Sequence, residues 1–282
     1  MVFHIHLVSD STGETLASLT RACLVQFENV DVKKHYWNLI RSSQLLKMVF
    51  KSLEEKPGLV LFTFVDEKLK QELENFCHEY EIECIPVLKP VLRGMISLLG
   101  KEPIHSPGRQ HVLDEHYFDR IDAMDFAMAQ DDGHGEEELG KADVIIIGVS
   151  RTSKTPTCVY LAGRGIRAAN IPFILGNPLP DFSKLKKPLI VGLVKDVKSL
   201  VEIRRNRLKI LKEVSETPYT NPESVREEVQ ESRRFFVQIG CPIIDVSRRS
   251  IEETSAEIMM LLTRHKEKLR REKKEKQKND AP

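Results

Sequence analysis

Residues 142–157 read Ala142-Asp-Val-Ile-Ile-Ile-Gly-Val-Ser-Arg-Thr-Ser-Lys-Thr-Pro-Thr157. The apolar, β-branched run before Gly148 is typical of a buried strand. Pro156 suits the first turn of a helix, where its missing N–H costs nothing. The stretch therefore predicts a strand, a turn and a helix start. Such a turn directs backbone N–H groups toward one point at a helix N-terminus, which favours an anion there.

The turn from Gly148 to Thr155 has a spacing close to that of a phosphate-binding loop. The common pattern is G-x-x-x-x-G-K-[ST], and here Ser153 stands at the second glycine position. Ser153 can replace glycine only if the backbone angles at that position are open to a residue with a Cβ. The pattern predicts that the nucleotide phosphates are bound by the whole turn: Gly148, Val149, Ser150, Arg151, Thr152, Ser153, Lys154 and Thr155.

Three side chains of this turn suit phosphoryl transfer. Lys154 supplies a positive charge for the terminal phosphate oxygens, and Arg151 is a second cation that can steady charge on the transferred group. Thr155 can offer its hydroxyl to Mg²⁺. We therefore expect Lys154 and Arg151 to be catalytic and Thr155 to be a magnesium ligand. The alternative is an ordinary strand-to-helix turn that binds no ligand.

Strands and helices alternate on both sides of this turn, which is typical of parallel sheets with helical crossovers. The sequence thus predicts an α/β fold with an N-terminal parallel-sheet domain over residues 1–104. A P-loop kinase-like α/β domain is predicted over residues 140–270, with its last helix at 250–269. Residues 105–139 are interpreted as a connector with one helix at about 114–129, and residues 271–282 as a basic tail.

Composition restricts the class of protein. The chain has 282 residues, of which 41% are hydrophobic and 30% are charged, as in a globular protein. Its formal net charge of +1 gives no reason to expect nucleic-acid binding. No apolar run approaches the roughly 18 residues that a membrane span needs. The five cysteines form no C-x-x-C pair, so we interpret them as reduced thiols of a cytoplasmic protein.

Positive charge is concentrated at the C-terminus. Residues 264–282 contain nine Lys or Arg and four Asp or Glu. A basic segment of this kind can bind an acidic partner. The alternative interpretation is a solvated helix end that frays.

Some acidic residues are weaker candidates for the chemistry. Asp131 and Asp132 are candidates for a catalytic base or a metal carboxylate, and the alternative is a solvated connector. Asp10 is a third candidate base. Its turn, Asp10-Ser-Thr-Gly13, follows a strand and opens a helix, so the turn can hold an anion or only cap the helix.

Further candidates lie in the second half of the chain. Arg204 and Arg207 share a helix face and suit phosphate clamping, or they belong to a charged helix exterior. Asp245 ends the last predicted strand, where α/β proteins collect polar groups, or it caps the following turn. Asp196 also ends a predicted strand and is an alternative metal carboxylate. A metal site is disfavoured for the connector histidines, because their spacing does not place them on one helical face: His105, His111 and His116.

Longer motifs carry more information than spacing alone. They are Val8-Ser-Asp-Ser-Thr-Gly13, Arg120-Ile-Asp-Ala-Met124, Asp131-Asp-Gly133, Gly148-Val-Ser-Arg-Thr-Ser-Lys-Thr-Pro-Thr157, Gly165-Ile-Arg-Ala-Ala-Asn170, Ile203-Arg-Arg-Asn-Arg-Leu208, Pro242-Ile-Ile-Asp245 and Ser250-Ile-Glu-Glu253. Together these motifs closely resemble the bacterial regulatory proteins of pyruvate, phosphate dikinase and of phosphoenolpyruvate synthase. The resemblance extends from residue 4 to about 260, and Ser153 is typical of the branch that regulates the dikinase.

The resemblance implies a bifunctional enzyme. Such proteins use ADP to phosphorylate a threonine beside the catalytic histidine of the dikinase, which inactivates it. They reactivate it by phosphorolysis, in which inorganic phosphate attacks the phosphothreonine and pyrophosphate is released. The same chemistry on phosphoenolpyruvate synthase is the alternative.

The residues alone leave two further functions open. One is an ordinary P-loop kinase of a small metabolite, and the other is a non-catalytic nucleotide sensor. The oligomeric state is also open, with a homodimer as one candidate.

Overall fold

The structure, a computed structural model, describes residues 2–103, 115–131, 136–210 and 217–279. The chain forms two compact units, Met1–Val112 and Leu113–Pro282. Each unit contains one four-stranded sheet whose paired strands are all parallel. The predicted α/β fold class is therefore confirmed.

The first unit alternates strands and helices along the chain. Its elements are β1 (Val2–Ser9), α1 (Glu14–Leu24), β2 (Asp31–Trp37), α2 (Ser43–Glu55), β3 (Leu59–Thr63), α3 (Glu67–Glu79), β4 (Cys84–Pro86) and α4 (Lys89–Leu99). The strand order in the sheet is β2-β1-β3-β4.

Adjacent residues of β1 contribute to opposite faces of this sheet, as strand geometry requires. Val8 packs in the cluster that contains the buried leucines of α2 and α3, whereas Leu7 packs with Leu16 of α1. Ser42 and Asp66 cap helices α2 and α3, because their side chains accept hydrogen bonds from backbone N–H groups of the first turn.

The second unit repeats this strand order. Its elements are α5 (Glu115–Ala129), β5 (Val144–Gly148), α6 (Lys154–Ala162), β6 (Ala168–Pro172), β7 (Leu189–Val194), α7 (Val197–Ile210), α8 (Pro222–Gln238), β8 (Ile243–Asp245) and α9 (Ile251–Asn279). The order β6-β5-β7-β8 again places the first strand of the sheet between the second and the third. In open α/β sheets, ligands bind outside the carboxyl ends of the strands where the order reverses.

The last helix differs from its prediction at one end only. Its start is confirmed, because Ser250 and Glu253 each accept a hydrogen bond from the backbone N–H of the other. The predicted end near Leu269 is wrong, since α9 continues through Asn279. Lys, Arg and Glu are good helix formers, so the helix continues beyond Leu262, its last buried residue.

Helix α5 lies in the stretch that we interpret as a connector. In the structure it packs against α6 and β6 of the second unit, where Ala123 and Ala127 are buried with Ala162. Small side chains allow close approach of the two helices. The domain boundaries near residues 104, 139 and 270 stay predictions.

A buried histidine links the first two strands to helix α2. The ring of His6 is fully buried; its Nε2–H donates to the backbone oxygen of Lys56 at 2.9 Å, and its Nδ1 accepts from Trp37 Nε1–H at 3.2 Å. Burial, with smaller contributions from the nearby His35, His4 and Lys56, lowers the pKa of His6 from 6.5 to about 4, although the hydrogen bond to the Lys56 backbone oxygen acts in the opposite direction. The folded protein therefore holds this imidazole neutral.

We expect this histidine to make the first unit acid-sensitive. The unfolded chain takes up the proton near pH 6.5, whereas the folded protein does so only near pH 4, so stability falls as the pH falls through that window. The loss should reach about 2 kcal/mol by about pH 5. Urea unfolding followed by the fluorescence of Trp37, the only tryptophan, measures it. His6→Gln is the control, and an equal pH slope in that variant would contradict the assignment.

Candidate phosphate-binding site

The predicted phosphate loop lies between β5 and α6. All five residues of β5 are buried, and the strand is paired on both sides, with β6 and with β7. The chain leaves β5 toward β6 and later crosses to β7, so the loop follows the strand at which the order reverses. The sheet thus delivers the loop to the position where α/β proteins bind ligands.

Gly148 is required by the close approach of the loop to the neighbouring strand. A Cβ at this position would lie 2.7 Å from Thr152 Oγ1 and 2.8 Å from the backbone oxygen of Leu193. The second contact is to backbone that other strand hydrogen bonds hold in place. Any larger residue would therefore displace the loop from β7.

Ser153 adopts the backbone conformation that glycine usually supplies. Its φ is 64° and its ψ is 25°, in the left-handed region, and Arg151 has a φ of 74°. Each of these conformations costs a non-glycine residue roughly 1–2 kcal/mol. Such strain concentrates at functional sites, where the surrounding structure holds it in place. The loop therefore keeps its left-handed turn although serine occupies the usual position of glycine.

This conformation leads to a stability prediction. We expect Ser153→Gly to raise the free energy of unfolding by about 0.5–1 kcal/mol, because glycine relieves the left-handed strain. Ser224→Gly, inside helix α8 of the same unit, is the matched control and should lower stability by about 0.5–1 kcal/mol. Urea denaturation measures both changes. A loss of stability in both variants would contradict the strained conformation of Ser153.

The side chain of Lys154 folds over the loop. It is 6% exposed, and its ammonium donates to the backbone oxygen of Val149 at 3.2 Å. Thr152 is fully buried and donates to the same oxygen at 2.9 Å. The loop therefore holds a positive charge among its own backbone groups.

A polar cluster adjoins the start of α6. Thr155 Oγ1 donates to Asp131 Oδ1 at 3.1 Å, and Asn170 Nδ2 contacts Asp131 Oδ1 at 2.5 Å and Thr155 Oγ1 at 2.9 Å. The structure thus brings Asp131 to the phosphate loop from the end of α5. Asp132 lies outside the described residues.

Asn170 has no role in our sequence-based predictions beyond its place in a motif. It is 1% exposed, and it lies within β6, whose other residues are apolar. A buried amide in such a strand must find hydrogen-bond partners. That signal was available from the sequence once residues 168–172 were assigned as a strand.

Arg204 holds the loop through hydrogen bonds to its backbone. The sequence predicts either a phosphate clamp or a charged helix exterior for it; the helix exterior is wrong, because Arg204 is 1% exposed, and the phosphate clamp stays a prediction. Its guanidinium donates to the backbone oxygens of Ser150, at 3.0 and 3.3 Å, and of Tyr219, at 3.2 Å. It also pairs with Glu228 at 2.7 Å. All these partners belong to the protein, so Arg204 acts on the position of the loop.

Tyr219 completes this support, and no sequence pattern indicated it. Its ring lies 4.7 Å from the Arg204 guanidinium, close enough for a cation–π contact. Its hydroxyl lies 3.2 Å from Ser150 Oγ and accepts from Arg151 Nε, also at 3.2 Å. The exposed Arg151 side chain is therefore anchored at the loop rather than extended into solvent.

The remaining acidic candidates have structural roles in the described residues. Asp10 accepts a bond from Val65 N–H at 2.6 Å, and its burial raises its pKa. The N-cap of α1 is Gly13, without a side-chain cap, so a cap made by Asp, Ser or Thr is wrong. Asp245 accepts from Ser247 N–H, which confirms its capping alternative. Asp196 accepts from Ser199 N–H and caps α7, and its role as a metal carboxylate stays a prediction.

The described residues support neither a cluster of metal ligands nor a membrane-spanning helix. Among them, no group of three or more His, Cys, Asp or Glu is placed to hold a metal ion. Two connector histidines, His105 and His111, lie outside the described residues, as does the side chain of His116. No helix within the described ranges is long and apolar enough to cross a membrane.

Comparison with known proteins finds relatives that match almost the whole chain. The chain is 51% identical over 267 residues to a protein of Paramagnetospirillum magneticum, covering 94% of this chain and 86% of the relative. It is 47% identical over 260 residues to one of Rhodospirillum rubrum, covering 92% and 94%. Both relatives are provisionally named pyruvate, phosphate dikinase regulatory proteins. The family model described as kinase/pyrophosphorylase matches residues 5–259, and the chain therefore belongs to the kinase/pyrophosphorylase family.

Proposed function

We propose that this protein is an ADP-dependent threonine kinase and a phosphate-dependent pyrophosphorylase that acts on pyruvate, phosphate dikinase. The observation that carries the proposal is the loop Gly148–Thr155, which keeps a left-handed turn at Ser153 and holds Lys154 over its backbone. Membership of the kinase/pyrophosphorylase family and the names of the relatives support the reaction type and the target.

The loop suits both a diphosphate and inorganic phosphate. Backbone N–H groups of the turn and of the first turn of α6 can bind phosphate oxygens, as at other helix N-termini. Lys154 now donates to the oxygen of Val149, a weak partner that an anionic phosphate would replace. Arg151 is anchored beside the loop by Tyr219 and would contribute a second positive charge. One cradle can thus receive ADP in one reaction and phosphate in the other.

In the kinase direction, the threonine hydroxyl of the target attacks the β-phosphorus of ADP. The bond to the bridging oxygen breaks and AMP leaves, while a carboxylate takes the hydroxyl proton. Asp131 is the candidate base, because it lies within hydrogen-bond distance of Thr155 at the start of α6. Positioning and charge neutralisation supply most of the rate in such transfers. Asp132 stays an alternative base.

Reactivation of the dikinase uses the same groups of the site as its phosphorylation. An oxygen of inorganic phosphate attacks the phosphorus of the phosphothreonine, and the bond to the threonine oxygen breaks. Pyrophosphate leaves, and a proton returns to the threonine oxygen. An acid within the same site, which we assign to protonated Asp131, can supply that proton by microscopic reversibility.

The donors beside the loop fit Mg²⁺. This ion prefers oxygen ligands and is usually held by one or two carboxylates together with substrate phosphates and water. Thr155 Oγ1 would be its protein ligand, with phosphate oxygens and water completing the shell, which leaves the Asp131 carboxylate, 3.1 Å from Thr155 Oγ1, in the role of the base. When bound, the ion would neutralise charge on the phosphates.

The proposed cellular context is the cytoplasm. All five cysteines are free thiols in the structure, which is usual in a reducing compartment. Pyruvate, phosphate dikinase is the proposed partner, and phosphoenolpyruvate synthase is the alternative target of the same chemistry. No feature of the described residues favours one oligomeric state, and a homodimer stays a prediction.

The decisive experiment incubates the purified protein with dikinase and ADP labelled in its β-phosphate. We expect label on a threonine of the dikinase, loss of dikinase activity, and release of labelled pyrophosphate when inorganic phosphate is added. Synthase replaces dikinase in a parallel reaction, and labelled ATP replaces ADP. Label on the synthase alone would reassign the target. Binding of ADP without transfer to either protein would instead support a nucleotide sensor, and transfer to a metabolite would support a small-molecule kinase.

A further inference from the structure

A second concave site lies in the first unit. It is a cavity of about 430 Å³ between the carboxyl ends of β3 and β4 and helix α4. Small-molecule clefts measure roughly 300–1,000 Å³, so the volume suits a small organic ligand. Apolar side chains form much of its wall, among them Phe64, Val65, Leu92 and Ile96. We call it the α4 cavity.

Hydrogen bonds to residues at the end of β1 fix the wall of the α4 cavity that β3 forms. Thr63 Oγ1–H donates to Ser9 Oγ at 2.9 Å, and the backbone N–H of Val65 donates to the carboxylate of Asp10 at 2.6 Å. Both acceptors are buried, at 1% and 3% exposure. These bonds join the strand ends at the edge of the sheet where α/β proteins bind ligands. A preformed wall lowers the ordering cost of binding.

The opposite wall is incompletely covered. Helix α4 has no buried residue, and Leu92 is 39% exposed. Most helices of a globular unit instead bury an apolar stripe against the core. An apolar molecule in the α4 cavity would therefore remove from water surface that the protein alone leaves exposed.

The charges around the cavity favour an anionic group. Glu67 and Lys70 pair with each other at 2.7 Å. Lys89 and Arg93 are four residues apart on α4, hence on the same side of the helix, and neither has an ion-pair partner in the described part of the chain. Glu102 is the other acidic residue of the lining. The lining thus carries three positive and two negative side chains, which leaves one positive charge in excess.

We propose that the α4 cavity binds a small organic anion with an apolar or aromatic body and one carboxylate, sulfonate or phosphate group. The body packs against Phe64, Leu92 and Ile96, and the anionic group binds to Lys89 and Arg93. All the lining residues belong to the first unit. The site is therefore independent of the phosphate loop and does not rest on the proposed function.

Two fluorescent probes test this proposal on the full-length protein. One is 1-anilinonaphthalene-8-sulfonate, and the other is N-phenyl-1-naphthylamine, which has the same aromatic body without the sulfonate. We expect one saturable site per chain for the sulfonate probe. The double variant Lys89→Gln/Arg93→Gln should weaken the sulfonate probe at least about fivefold and change the neutral probe less than about twofold, because only the anion loses a partner.

Matched controls separate the cavity from general surface charge. Lys47→Gln/Lys51→Gln removes two positive charges at the same spacing on α2, where both lysines are exposed, and should leave both probes unaffected. Leu92→Trp fills the cavity and should weaken both probes, with far-UV circular dichroism confirming that the variant folds. Unchanged sulfonate binding in the Lys89/Arg93 variant, or equal weakening in the α2 control, would overturn the proposal. If the sulfonate probe bound only at the phosphate loop, its binding would be unchanged in the Lys89/Arg93 variant, and the proposal would be overturned.

Discussion

Replacing Lys154 by alanine is expected to abolish both the kinase and the pyrophosphorylase reactions. The ammonium is the only buried lysine charge of the described residues, and it lies on the backbone of the phosphate loop. Removing one group that stabilises transition-state charge typically costs about 100- to 1,000-fold in rate. Both reactions should lose this factor, because the proposed function places phosphate oxygens of both reactions in the loop Gly148–Thr155. Initial rates with labelled ADP, and with phosphate and phosphorylated dikinase, measure it.

The control for this variant is Lys186→Ala, which removes an exposed lysine of the same unit. It should retain both activities within about twofold, as surface substitutions away from a site usually do. If Lys154→Ala loses only one reaction, the two reactions use different sites. If it loses neither, Gly148–Thr155 is not the catalytic phosphate loop.

Replacing Arg204 by methionine is expected to cost the second unit about 3–5 kcal/mol of stability. That is the range found when one partner of a buried ion pair is removed. Here the change leaves Glu228 without its cation and the backbone oxygens of Ser150 and Tyr219 without their donor. Because Ser150 belongs to the phosphate loop, the affinity for ADP should fall as well. Urea unfolding and ADP titration measure the two effects.

Two further variants make the assignment of Arg204 specific. Arg205→Met changes the neighbouring, exposed arginine and should alter stability by less than about 0.5 kcal/mol. Arg204→Met combined with Glu228→Gln should recover part of the loss, since the uncompensated carboxylate is then gone. Equal costs for Arg204→Met and Arg205→Met would argue against a buried pair.

Local patterns predicted most of the secondary structure, because hydrophobic periodicity and capping act over a few residues. The helix start predicted at Ser250 is confirmed, and Ser42 and Asp66 cap their helices by the same kind of local hydrogen bond. The end of α9 was missed because its apolar pattern fades after Leu262 while residues that favour helix continue. Hydrophobic periodicity marks the face of a helix that packs against the rest of the protein. A helix surrounded by solvent has no such face, so its sequence shows no hydrophobic periodicity.

Charge patterns were less informative, because they do not report burial. The run Ile203-Arg-Arg-Asn-Arg-Leu208 looks the same whether an arginine faces solvent or the core. In the structure Arg204 is buried and Arg205 is exposed. The difference depends on Ser150 and Glu228, which lie 54 and 24 residues away in the chain.

The sequence by itself therefore determined the α/β alternation, the helix starts and the position of the loop Gly148–Thr155 after a buried strand. These follow from short-range preferences of the chain. Only the tertiary structure decided that Ser153 takes the left-handed conformation of glycine, that Asp131 meets Thr155, and that Arg204 is buried against the backbone of the loop. Each of these depends on backbone angles or contacts that packing of distant segments imposes, and no local pattern encodes them.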